Sequence, residues 1–136
     1  LESKEPMGVT MRRLIPGQER HDGMVRRIAQ GLRDGGFREV QADGVDGFEL
    51  PEPIDGRVPD VTARGHRFYI YEVETEETLG SEETRLQWKA FNRFARHNDD
   101  ARFIIIVPKG VGLKAEAQKN YYQLSAEVRE EDFASE

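Results

Sequence analysis

Three carboxylates and one amide carry the chemistry legible in this chain. Asp60 follows Pro59. Glu72 and Glu74 stand one residue apart at the end of the run RFYIYEVET, and Gln87 lies further on, in a segment rich in charge. Alternate residues of a strand face the same side. Phe68, Ile70, Glu72 and Glu74 therefore share one face, and Arg67, Tyr69, Tyr71 and Val73 the other. An apolar stripe thus turns acidic at one end, which is uncommon unless the charge meets a partner or a metal.

Converging carboxylates suit a hard divalent cation. Mg²⁺, with Mn²⁺ as its substitute, takes oxygen donors and keeps several waters. Asp60, Glu72 and the backbone carbonyl of Val73 form a plausible donor set. Beside a phosphodiester such an ion would polarise a phosphoryl oxygen, activate a water and stabilise the leaving oxygen. Glu74, on the same face, would be a third ligand or the group that orients or deprotonates the water. The arrangement depends on register. With a turn Arg64-Gly65-His66 centred on Gly65, and Gly65 at positive φ, Asp60 faces Ile70 and lies diagonal to Glu72, about 7–8 Å away at Cα. A two-residue turn would put Asp60 on the wrong face. The plain alternative is coincidence, since the chain holds 26 acids.

The elements that must position these groups follow from periodicity. Residues 1–17 read as an irregular lead, with Arg12 and Arg13 either a basic arm or part of an unstructured start. Residues 18–33 are helical, with His21, Val25, Ile28 and Leu32 on one stripe and Gly35-Gly36 ending it. His21 heads that stripe, as a helix-start histidine at the core edge or as a group facing substrate. Strands are predicted at 37–42, 59–63 and 66–75. Between the first two, Phe48 and Leu50 pin a Gly-, Pro- and Asp-rich loop to the core or form a short strand. A helix is predicted over 82–97, capped by Ser81 with Glu82 and Glu83 in its first turn. ARFIIIVP then reads as a central strand covered on both faces, and 113–126 as a third helix. The domain spans 18–126, and 127–136 is an acidic tail that frays unless Val128 and Phe133 dock. The fold class is α/β, a mixed central sheet flanked by helices.

On the 82–97 helix, Gln87 shares a stripe with Phe91, Phe94 and Ala95, a polar group at the top of a core-facing row. Arg85, Lys89, Arg93 and Arg96 fall within about 80° of one another on the opposite side. They are either a solvated face or a set of phosphate contacts to nucleic acid.

Composition bounds the rest. The chain has 136 residues, enough for one core. With no cysteine, disulfides and thiolate-held metals are excluded, which fits a cytoplasmic location. No apolar run is long enough to span a bilayer, and the N-terminus carries no apolar signal region. The net charge of −6 argues mildly against a bulk nucleic-acid binder. Its distribution weakens that objection: five of the acids lie in the tail from Glu127, opposed there only by Arg129.

Pro59-Asp60, then Glu72-Val73-Glu74, then a helix with Gln87-Trp88-Lys89-Ala90-Phe91, resembles the PD-(D/E)XK nuclease superfamily. Its members include restriction endonucleases, archaeal Holliday junction resolvases and RecB-type nucleases. The Gln87-to-Phe91 spacing is similar to the QxxxY motif of RecB-like members, and the element order over 18–126 is similar to the family's αβββαβ core. The resemblance implies a restriction-endonuclease-like fold and Mg²⁺-dependent hydrolysis of DNA. Asp60 and Glu72 would be ligands and Gln87 would orient water or the scissile phosphate. The chain departs from the family at Glu74, where a lysine usually positions or activates the water. Some active restriction enzymes carry Glu there. Other members move the lysine to the following helix, but Lys89 lies on the face away from Gln87. A minimal core offers little recognition surface, so a second copy or a specificity-giving partner protein would supply it. The reading from a different class is a non-catalytic module on the same fold, binding nucleic acid or protein.

Overall fold

A computed structural model describes residues 17–133. The expected lead, with Arg12 and Arg13, lies outside the described residues apart from Gly17. Among the described residues three helices, α1 (Gln18–Asp34), α2 (Glu82–Arg96) and α3 (Gly112–Tyr121), enclose a five-stranded sheet. Its strands are β1 (Arg38–Ala42), β2 (Val61–Arg64), β3 (Phe68–Val73), β4 (Ala101–Pro108) and β5 (Glu127–Glu131), and they lie in sequence order. β1, β2 and β3 pair antiparallel, whereas β3, β4 and β5 pair parallel. The sheet is mixed, as the segment order predicted.

Strand parity splits the core in two. Tyr71, Val73, Ile104 and Ile106 pack with Met24, Val25 and Ala29 of α1 on one face. Ile70, Phe103, Ile105 and Val107 pack with Trp88 and Phe91 of α2 and Ala115 of α3 on the other. β4 is apolar on both faces because both are covered. α1 ends at the two glycines: Gly36, at φ 94°, donates to Arg33 O while Phe37 N donates to Leu32 O, satisfying the last carbonyls of the helix.

Several expectations are corrected. A bulge in β1, with Glu39 at φ 51°, shifts the β1–β2 register, so Phe37 joins the same core as Val40 instead of alternating with it. No strand forms at Phe48 and Leu50; of the two alternatives Phe48 does pin the loop, packing against the α1-side core and under the Arg33 guanidinium, while Leu50 is exposed. The β2–β3 pairing is centred on His66, not Gly65, with Thr62 opposite Ile70. Gly65 does not take positive φ. It is small for another reason: a Cβ there would meet the Phe37 ring at 3.0 Å. α3 stops at Tyr121, where Gln123 at φ 59° turns the chain and Leu124 N bonds back to Lys119 O. The tail does not fray through its first half. Residues 127–131 form β5, paired along β4, and Phe133 packs against the α1-side core.

Candidate active site

β3 delivers its acids where its ladder with β2 runs out. The centring on His66 sets Asp60 level with Glu72, two residues from the expected register but on the same parity. At that level side chains replace ladder bonds. Asp60 N donates to Glu72 Oε2 at 2.9 Å, and Val73 N donates to Asp60 Oδ2 at 2.8 Å. Beyond Val73 the chain stays on β4, with Glu74 N bonded to Ile106 O at 2.9 Å. It then turns through residues 75–81 into α2.

A pocket of about 210 Å³ opens at this end of the sheet. Asp60, Glu72, Glu74 and Gln87 all line it. Gln87 Nε2 lies 3.4 Å from Glu72 Oε1. The buried face of α2 is nevertheless centred on Thr84, Trp88 and Phe91, so Gln87 stands at its margin rather than on its axis. Arg85, Lys89, Arg93 and Arg96 are not part of the lining. Arg85 is tied to Glu82 and Arg93 to Asp55, which leaves Lys89 and Arg96 with no ion pair among the described residues.

Glu74 is the most constrained member. Thr78 Oγ1 donates to its Oε1 at 2.6 Å, Thr84 Oγ1 stands 3.3 Å from the same oxygen, and Trp88 Nε1 donates to Oε2 at 3.1 Å. Trp88 is fully buried, and its indole nitrogen can only donate. Glu72 and Glu74 are themselves 2% and 4% exposed. Burial first, then the negative charge of Asp60, pushes both carboxyls up, Glu74 to about 7, against the lowering effect of their donors.

His21 answers part of that charge. Its Nε2 lies 3.3 Å from Asp60 Oδ2 and its Nδ1 3.4 Å from Asp22 Oδ1. Burial opposes its protonation, but the bond and charge of Asp60, aided by Asp22 and Glu74, prevail and raise it to about 9. The imidazole is therefore a cation at neutral pH, donating from both nitrogens. Of the two roles weighed for His21, the structure gives it a place in the pocket. Trp88, Thr78, Thr84 and Arg57 were not legible as site residues. Arg57 donates from Nη1 to Glu83 Oε2 at 3.0 Å and reaches Gln87 Oε1 at 3.5 Å. Its signal was the dipeptide Asp55-Gly56, a tight-turn pair that fixes where the arginine emerges.

The donor chemistry fits a hard divalent ion. Its protein donors are all oxygens, and burial and mutual repulsion raise the Glu72 and Glu74 carboxyls, a cost that a bound cation would relieve. A residue's N–H and C=O face the same strand neighbour, so the Val73 carbonyl faces the Asp60 side along with the amide that bonds it. Among the described residues no group of three or more acid, histidine or cysteine side chains is arranged to hold a metal. Any ion here would depend on two carboxylates, a carbonyl and water, a shared coordination that Mg²⁺ accepts. No family model, no curated protein and no solved structure matches the chain.

Proposed function

We propose that this chain is a Mg²⁺-dependent nuclease that hydrolyses DNA phosphodiester bonds, built on a restriction-endonuclease-like core. The observation that carries the reading is the meeting of Asp60, Glu72, Glu74 and Gln87 in one pocket at the end of β3. Asp60, Glu72 and the Val73 carbonyl would hold the ion. When bound, the ion supplies a Lewis acid for the phosphoryl oxygen and lowers the pKa of water.

The chain's own groups do the rest. Peptide amides hold one oxygen of Asp60 and one of Glu72, so the remaining oxygens are aimed without further ordering. Hydrolysis joins the water oxygen to phosphorus, breaks the bond to the sugar oxygen, which leaves as a hydroxyl after taking a proton from solvent, and passes a proton of the attacking water to a base. Glu74, locked in place and near neutrality in its titration, is suited to take that proton. Gln87 links Glu72 to Arg57 at the mouth and orients the phosphate or the water.

One observation favours the second reading, a non-catalytic binding module on the same fold. Glu74 spends its oxygens on Thr78 and Trp88, as a structural carboxylate would.

Plasmid and branched DNA, incubated with Mg²⁺ or Mn²⁺, separate the two. Asp60→Asn is the control, because an amide oxygen still accepts from Val73 N. Cleavage by the wild type and not by Asp60→Asn is expected. Binding without cleavage favours the module. In parallel, the ion should stabilise the wild type by about 2.7 kcal/mol at a hundredfold excess over its Kd. Equal melting shifts in wild type and Asp60→Asn at matched ionic strength would rule out an ion held by Asp60.

A further inference from the structure

An acidic pocket repels the polyanion it is proposed to cut, so some cation must meet the phosphate at its mouth. The basic row on α2 is not in the lining. His21 is already engaged with two carboxylates. Arg57 is different. It closes a tight hairpin in which Asp55 and Gly56 both take positive φ, 55° and 79°, the conformation of a type I′ turn. Ile54 and Arg57 exchange both backbone bonds, at 2.8 and 3.0 Å.

Ile54, buried in the α2-side core, anchors this turn against α2, and the exposed pair Asp55–Arg93 at 2.8 Å adds a weaker contact to the same helix. The guanidinium therefore emerges at a fixed place, directly above two residues of the pocket lining, Glu83 and Gln87.

Its present bonds leave it capacity. Both leave from Nη1, so Nη2 and Nε have no hydrogen-bond partner among the described residues. Arginine's planar fork is matched to two phosphate oxygens at once. Glu83 is 71% exposed, and an ion pair with so solvated a carboxylate is weak enough to be exchanged.

We propose that Arg57 receives the phosphodiester at the mouth of the site, exchanging Glu83 for phosphate oxygens while Gln87 keeps it in register with Glu72. Glu83 then holds the place of the substrate anion until DNA arrives. It keeps the guanidinium over the pocket and raises the charge a competing anion must overcome. The inference rests on the nuclease reading and adds to it a substrate-positioning residue.

Binding is read by the anisotropy of a fluorescein-labelled DNA duplex, with Ca²⁺ replacing Mg²⁺ so that the DNA stays intact. Arg57→Gln should weaken binding about tenfold, the loss of one charge-assisted contact, and reduce the slope of log Kd against log salt by about 1. Arg57→Lys should keep the slope and recover only part of the affinity, because an ammonium lacks the fork. Glu83→Gln should tighten binding. The metal-induced melting shift of Arg57→Gln should equal that of the wild type, placing the defect at the phosphate and not at the ion. If Arg57→Gln matches the wild type in affinity and slope while the wild type binds and cuts DNA, this inference falls and the nuclease reading stands. If the wild type neither binds DNA nor gains melting temperature from the ion, both fall.

Discussion

The surroundings of Glu74 bring its titration towards neutral pH. Its carboxyl, ordinarily near 4.5, is raised to about 7 by burial and then by Asp60. A raised folded-state pKa favours the protonated fold. Its contribution is full below 4.5 and is lost as pH rises through about 7. His21 acts in the same direction one window higher, between 6.5 and about 9. In EDTA the melting temperature should therefore fall continuously from mildly acidic to alkaline pH. Glu74→Gln can keep the Trp88 bond through its amide oxygen and should make the lower part of that fall shallower, leaving the parts due to Glu72 and His21. Thermal melts followed by circular dichroism check this, and an unchanged lower limb would contradict it. The acids were legible because strand parity is a local property of the sequence. Trp88 was not, because a tryptophan in an apolar stripe announces burial and says nothing of where its N–H points. His21 belongs to an element 39 residues from Asp60, and only the packing of α1 over the sheet brings them together.

Register and boundaries show the same division at the level of elements. The parity of the β2–β3 pairing followed from alternation, but its centre did not. Gly65 suggested a turn apex, and the Phe37 ring it accommodates comes from a segment the hairpin pattern does not contain. β5 was missed because Glu127–Glu131 has no apolar alternation; a strand at the rim of a sheet needs only Val128 turned inward. That strand also caps a helix. Glu130 Oε2 accepts from Gly112 N at 2.8 Å and Gly110 N at 3.2 Å, at the start of α3, whose own N-cap Val111 offers no side-chain bond. A Cβ on Gly112 would lie 2.5 Å from that oxygen. Gly112→Ala should therefore evict the cap and cost about 1 kcal/mol. In a Glu130→Ala background the same change should cost little. A urea-denaturation double-mutant cycle measures the coupling, and additive effects would show that the cap contributes nothing.

Across the whole molecule, two apolar layers fix the sheet between α1 on one side and α2 with α3 on the other. The polar chemistry is left to the end of β3, where the strands separate. The basic row on α2 was predicted as one surface, and the structure divides it. Arg85 and Arg93 are paired with acids, whereas Lys89 and Arg96 have no ion pair among the described residues. If the row meets nucleic acid, replacing Lys89 and Arg96 by Ala should lower the salt slope of DNA binding by about 2, at one unit per released phosphate contact. Replacing Arg85 and Arg93 should lower it less, since each leaves an acid behind. Equal slopes in all three proteins would make the row a solvated helix face.

β5 is also the outer rim of the sheet, and among the described residues nothing continues the ladder beyond it. A bare rim invites a second copy to zip on, the first step towards fibrous self-assembly. Here the rim carries Glu127, Glu130 and Glu131, all exposed, with Arg129 the only base among them. Two such rims brought together would set carboxylate against carboxylate along the seam. The acids that hid this strand from its sequence pattern thus work against rim-to-rim pairing of two copies, whatever other surface the molecule uses.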